Sequence, residues 1–398
     1  MIVRGSPDSV LVRRPASGTT FEELVNYVVD GIEALIARFV ESSLILQFVV
    51  VALLVGSVVL VARRLLRKRV HLGPLTCVLF VGAGSLALCV LLFVERRLGQ
   101  IQAEGARIRA QTTDALFAVL GNMPNSGREP LCDKEAAQRA LRERFGEATV
   151  RAFACNPAMD VVRVNLKLPL LEALLAVIDL EHKDLVIELD GKFDKKSLTS
   201  TFAQAAGCSI AINGEAGASP GPNSGLGPWR GHLVRNGSAL LAETADNPLP
   251  FLSFDRQNRA RFTSSQAKER TLHADSYNVI YGRVDSIVAG KAITEPFRHN
   301  QPRTVMGLDA SGTKLFLLVV DGRQMSRSWG LTRAEVGDFL RAFGVHDAML
   351  CDEGGSSCMV VDMLGGLATV PASDGGQERP TYSHFGVALR RASSRPTK

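Results

Sequence analysis

Three apolar, strand-like stretches of this sequence end abruptly on polar residues and glycines, the setting in which a rigid sheet presents a reactive loop. CSIAINGE (208–215) ends on Asn213 and Gly214, an amide followed by a residue that lets the backbone turn or approach a ligand. LFLLVVDGRQMSRSWG (315–330) ends on Asp321, Gly322 and Arg323. Arg323, with Arg303 in the preceding PRTVMG, supplies the planar fork that grips a phosphate in two places. AMLCDEGGSSCMVV (348–361) sets Asp352, Glu353, Gly354, Gly355, Ser356 and Ser357 between apolar runs. Burying two adjacent carboxylates and two hydroxyls is costly, so this cluster points to acid-base work, cation binding or sugar hydrogen bonding. The plainer alternatives are Asn-Gly and Asp-Gly turns and, for each arginine, a surface ion pair. A serine-hydrolase elbow is excluded, because Cys358 stands two residues after Ser356 where glycine is needed. The seven histidines are scattered without paired spacing, which argues against a histidine zinc site.

The elements that must position these loops alternate in type. The spacing predicts helices over Lys134–Phe145 and Thr332–Phe343, the latter with a capping-box pair, Thr332 and Glu335, and an apolar face of Val336, Phe339, Leu340 and Phe343. Strands are predicted at 150–154, 161–166, 185–189, 208–212, 231–235, 277–284 and 314–320, the last being the most apolar and β-rich. Residues 168–180 are apolar but carry Glu172 and Asp179, so they are expected to be a core element and not a membrane span. The glycines and prolines of 217–228 match no phosphate loop and predict a mobile connection. The expected fold class is α+β, with mixed sheet and helices.

Ahead of this region lie two charge-free apolar runs, 44–62 and 74–94, each long enough to cross a bilayer as a helix. Five basic residues between them (Arg63, Arg64, Arg67, Lys68, Arg69) place the connecting loop in the cytoplasm by the positive-inside tendency. The chain then reads as an integral membrane protein of the bacterial inner membrane, with both termini and the soluble domain extracytoplasmic. Its expected segments are a tail (1–41) with an amphipathic helix over 21–40, a transmembrane hairpin (42–95), a stalk and linker (96–130) and a soluble domain (131–392). The formal charge of +6 is explained by that loop, so nucleic acid is not expected as a partner, whereas the lipid bilayer is. Outside the hairpin remain Cys132, Cys155, Cys208, Cys351 and Cys358, without metal-ligand spacing. They are compatible with disulfides, first Cys132 with Cys155, or with buried free thiols.

Taken in order, AINGE (211–215), RTVMGLD (303–309), LVVDGR (318–323), the capped helix, DAMLCDEGGSSCMVV (347–361) and SDGGQERP (373–380) resemble the phosphodiester glycosidase family over roughly residues 160–390. The resemblance implies a hydrolase that removes a sugar from a sugar-1-phosphodiester. It implicates Asn213, Gly214, Arg303, Asp321, Gly322, Arg323, Asp352, Gly354, Gly355, Ser356, Ser357 and Arg379. On that reading Asp352, with Glu353 or Asp321, serves as base or charge stabiliser, Arg303 and Arg323 hold the phosphate, and Asn213, Ser356 and Ser357 bind sugar and phosphate. The family pattern is broken where Glu215, Ala216 and Gly217 follow Asn-Gly, and where Glu353 replaces the glycine after Asp352. A divalent cation, calcium or magnesium, is compatible with the acidic loops. A non-catalytic glycan-binding or envelope-assembly module and a phosphodiesterase that cuts the P–O bond are the competing functions.

Overall fold

The computed structural model describes residues 113–121, 128–190, 196–214, 231–243, 248–293, 299–324, 327–363, 366–371 and 377–390. The predicted tail, transmembrane hairpin, most of the stalk and the 217–228 connection lie outside them. Among the described residues no helix is long and apolar enough to cross a membrane.

Helix α1 covers 113–121, α2 Lys134–Phe145, α3 Thr199–Ala206 and α4 Arg333–Arg341. The first strands are β1 (Ala148–Asn156), β2 (Met159–Lys167), β3 (Leu170–Asp179), β4 (Leu185–Leu189), β5 (Ile210–Asn213) and β6 (Leu233–Arg235). Next come β7 (Ser238–Leu241), β8 (Phe251–Phe254), β9 (Ala260–Thr263), β10 (Asn278–Tyr281), β11 (Val284–Val288) and β12 (Lys291–Ala292). The last are β13 (Arg303–Leu308), β14 (Lys314–Val320), β15 (Asp347–Glu353), β16 (Cys358–Met363), β17 (Gly366–Pro371) and β18 (His384–Leu389). They form an eight-stranded sheet, β1-β2-β3-β14-β13-β15-β11-β12, and two five-stranded sheets, β7-β6-β10-β8-β9 and β17-β16-β5-β18-β4. The domain is thus sheet-dominated with few helices.

Two cores sandwich the large sheet. One lies between it and the smaller sheets, joining Leu174, Leu317 and Met349 to Ile212, Phe251, Ile280, Met359 and Phe385. The other lies beneath α2 and α4 and joins Leu141 and Phe145, then Val336, Phe339 and Leu340, to Leu175, Val305 and Leu318. Both faces of β3 and β14 are therefore buried, which is why these strands read as continuous apolar runs and not as an alternation. Residues 168–180, expected only to be a core element, contain the strand β3, Leu170–Asp179. The predicted 277–284 strand divides into β10 and β11, with Gly282 set between them against the Leu350 carbonyl. Helix α2 begins where Asp133 accepts from the Ala136 amide, and α4 has the capping box its sequence predicts.

The expected Cys132–Cys155 disulfide does not form. Cys132 lies in the helix-side core and Cys155 in the inter-sheet core, on opposite faces of the large sheet, and both are free thiols. Burial pushes the Cys132 thiol up to about 11 and that of Cys155 to about 12, so both are neutral near pH 7.

Candidate active site

The polar loops converge because antiparallel pairing brings the C-terminal ends of β14 and β15 beside the N-terminal ends of β3 and β13. From the opposing sheet, the end of β5 and the starts of β16 and β18 meet them. A β-bulge then decides which way the two adjacent carboxylates point. Val305 pairs with Leu350 but Thr304 with Asp352, leaving Cys351 as the extra residue. Asp352 accordingly shares a side with Thr304, toward the inter-sheet layer. Glu353 pairs with Arg303 and meets the start of α4 on the other side.

Asp352 is buried, 1% exposed, and its Oδ2 accepts hydrogen bonds from Asn213 Nδ2 at 2.7 Å and Ser356 Oγ at 2.5 Å. Asn213, 0% exposed, is saturated. Its Oδ1 accepts from Thr304 Oγ1 at 2.8 Å and from the Cys358 amide at 2.9 Å. One amide thus stitches β5, β13, β15 and β16 together and orients Asp352. Asn213 and Ser356 are neutral donors, so they position the carboxylate without cancelling its charge.

Glu353 is held in a different way. Arg303 and Arg333 both bond it, the latter at 3.1 and 3.3 Å, and Arg283 stands 3.9 Å away. Burial pushes its pKa up, but the Arg333 hydrogen bond and the charges of Arg303, Arg333 and Arg283 outweigh that and hold the carboxyl below its usual range. Arg303 is 0% exposed and also donates to the carbonyls of Leu331 and His299 at 3.0 and 2.8 Å. Burial pushes its guanidinium down to about 10, partly offset by Glu353. Arg303 therefore pins the sheet end to the chain leading into α4.

The remaining arginines meet the Gly354–Gly355 turn. Gly354, at φ 91°, packs against the Arg323 guanidinium, and a methyl group at Gly355 would stand 2.7 Å from Arg379 Cζ. Glycine is needed there for the guanidinium groups to lie this close to the backbone. Arg323 is half-buried and Arg379 exposed, and neither forms an ion pair with a described residue; the Arg323 guanidinium donates to Gln301 Oε1 at 3.3 Å and its backbone amide to the Trp329 carbonyl at 3.3 Å. Arg283, 40% exposed, bridges Glu353 and Asp352, reaching 4.0 Å from Asp352 Oδ1.

Asp321 serves its own turn. Its Oδ1 accepts from the Gly322 amide at 2.6 Å and Gln324 Nε2 at 3.5 Å, and its Oδ2 lies 4.0 Å from Arg327. Gly214 and Gly322 are filled by Ser383 and by the Pro302 backbone, so close chain packing explains both glycines. Ser357 is fully buried, with Oγ unpartnered among the described residues. No three metal-ligating side chains converge among the described residues, and Glu353 and Asp321 both have arginine within 4 Å, a donor set that does not fit a divalent cation.

The predicted residues are thus brought to one end of the sandwich, and their order along the chain matches a known pattern. Residues 206–388 match the phosphodiester glycosidase family model. The match to this family takes in every implicated residue from Asn213 to Arg379 and leaves β1 to β4 outside it. Among solved structures, a hypothetical protein from Synechocystis is similar at a TM-score of 0.46 and 10% identity, over 61% of this chain and 64% of that one. The zebrafish N-acetylglucosamine-1-phosphodiester alpha-N-acetylglucosaminidase catalytic domain, auto-inhibited by its pro-peptide, is similar at 0.46 and 16% identity, over 65% of this chain and 94% of that one. No curated protein matches.

Sequence reasoning missed Arg283, Arg333 and the buried His384, whose Nδ1 meets Asp190 Oδ2 and whose Nε2 meets Thr381 Oγ1, both at 2.9 Å. Arg283 and Arg333 stand outside the glycine-rich motifs and take meaning only from the Glu353 carboxylate. The one available signal was Glu353 itself, a charge in a glycine position that called for compensating cations.

Proposed function

We propose that this chain is a membrane-tethered hydrolase that removes a sugar from a glycosyl-1-phosphodiester by cleaving between the anomeric carbon and the phosphate oxygen. The observation that carries the reading is the pair of guanidinium groups, Arg323 and Arg379, resting on Gly354 and Gly355 immediately after a buried Asp352 that neutral donors orient. A phosphodiester spreads one negative charge over two non-bridging oxygens, a match for planar donors that pair with no carboxylate among the described residues. With the phosphate held there, Asp352 faces the sugar.

The leaving phosphate is a stable anion and needs little proton assistance, so the barrier lies in the positive charge that develops at the anomeric carbon. Asp352 stabilises that charge and takes the proton of the attacking water. The C–O bond breaks with its electron pair on the phosphate, giving a free sugar and a phosphate monoester. Asn213 and Ser356 are positioning residues for Asp352. Glu353, clamped by arginines, is structural, and Asp321 shapes the turn that carries Arg323. The apolar runs 44–62 and 74–94 and the basic loop between them support a domain tethered outside the cytoplasm, with envelope or surface phosphoglycans as substrates.

Full-length protein in detergent, offered a panel of sugar-1-phosphodiesters, is expected to release free sugar. Binding without release of any product would instead identify a glycan-binding module. A reporter fused after Lys398 is expected to be active outside the cytoplasm, and a cytoplasmic reporter would overturn the topology.

A further inference from the structure

A chain of alternating charges crosses the domain behind the candidate site. Asp114 of α1 accepts from Arg163 at 2.6 Å, and Arg163 also meets Glu172 Oε1 at 2.9 Å. Arg327 donates to Glu172 Oε2 at 2.5 Å and lies 4.0 Å from Asp321, two residues before Arg323. The strand β3 reinforces the link through its backbone: the Asp321 amide donates to the Glu172 carbonyl at 2.9 Å, and the Trp329 amide to that of Leu170 at 2.8 Å. Ser328 Oγ accepts from the Glu172 amide and donates to the Asp321 carbonyl.

Glu172 is the odd residue of this arrangement, a buried carboxylate in a strand otherwise apolar until Asp179. Desolvating a carboxylate and two arginines is expensive, and well-packed apolar side chains commonly give equal or better stability. Stability alone therefore does not account for it. What the carboxylate does supply is direction: it fixes Arg327, and with it the far side of the loop that begins at Asp321. Arg323 holds a left-handed backbone conformation, φ 60°, in that same loop. Such a conformation persists only where its surroundings over-determine it.

We propose that Glu172 is a positioning residue for phosphate recognition. Acting through Arg327, it sets the loop from which Arg323 reaches Gly354, and through Arg163 it couples that loop to Asp114 in α1. The inference rests on the phosphate-binding role of Arg323 given above. It adds that helix α1 and the anion grip are parts of one charged network.

The test uses full-length protein in detergent and two probes, inorganic phosphate and N-acetylglucosamine-1-phosphate, with binding measured by calorimetry. Glu172→Gln is expected to weaken both probes roughly tenfold, and in turnover to raise KM by a similar factor while kcat changes little, because Asp352 and its partners are untouched. Arg327→Gln is expected to do the same and serves if Glu172→Gln does not fold; Arg327→Lys should recover part of the affinity. A folded variant of either kind with wild-type phosphate affinity overturns the inference while leaving the site reading intact. Wild-type protein that binds neither probe overturns both.

Discussion

Asp352 and Glu353 are adjacent in the chain and opposite in circumstance. Asp352 faces the inter-sheet layer, and its Oδ2 takes hydrogen bonds from an amide and a hydroxyl. Glu353 faces the α4 side, where Arg303, Arg333 and Arg283 surround it. Arg283 stands at similar range from both, 4.0 Å from Asp352 and 3.9 Å from Glu353, so the difference lies in the direct hydrogen bonds: neutral donors leave the charge of Asp352 available to a developing cation, whereas Arg303 and Arg333 bond Glu353 directly and neutralise it. The same side-chain chemistry thus supplies reactivity on one face of a strand and cohesion on the other, and the bulge at Cys351 decides which carboxylate takes which face.

The largest effect should come from the reactive side. Asp352→Asn is expected to lower kcat by about a thousandfold while leaving probe affinity within a few-fold, measured by sugar release and calorimetry. A variant that kept its rate would erase the distinction. On the cohesive side, Glu353→Gln leaves Arg303 buried without its carboxylate and should cost about 3 kcal/mol of stability in denaturant unfolding, with kcat of the folded fraction little changed. Lost turnover at unchanged stability would move Glu353 into the chemistry.

How much of this was legible beforehand follows from which forces are local. The capping box of α4, the apolar runs of β3 and β14, and the glycine-rich turns announced themselves, because each depends on neighbours within a few residues. Which of Asp352 and Glu353 faces the inter-sheet layer did not, since it depends on a register shift against β13. The contacts of Arg303 are not legible either, because sequence cannot show that Leu331, His299 and Glu353 meet its nitrogens. Short strands such as β8, β9 and β12 carry too few residues for a period to emerge. The cysteine pairing failed for the same reason as the carboxylates: which face of a sheet a residue joins is a tertiary fact.

Two smaller effects sharpen the contrast. Because the folded pKa of Glu353 lies below its ordinary value of 4.5, its contribution to stability is present above that value and is lost as pH falls through the folded pKa. Acid unfolding of wild type should therefore include a loss that Glu353→Gln lacks, and parallel acid-unfolding curves would contradict the clamp. Least of all, a reductant should leave the melting temperature unchanged, and Cys132 and Cys155 should alkylate fully only after unfolding.

The bond that is cut tests the role of Asp352 most directly. With a sugar-1-phosphodiester turned over in ¹⁸O-labelled water, the label is predicted in the hydroxyl of the released sugar and absent from the phosphate. Label in the phosphate would place the cleavage at the P–O bond and contradict the assignment of Asp352 to the anomeric carbon.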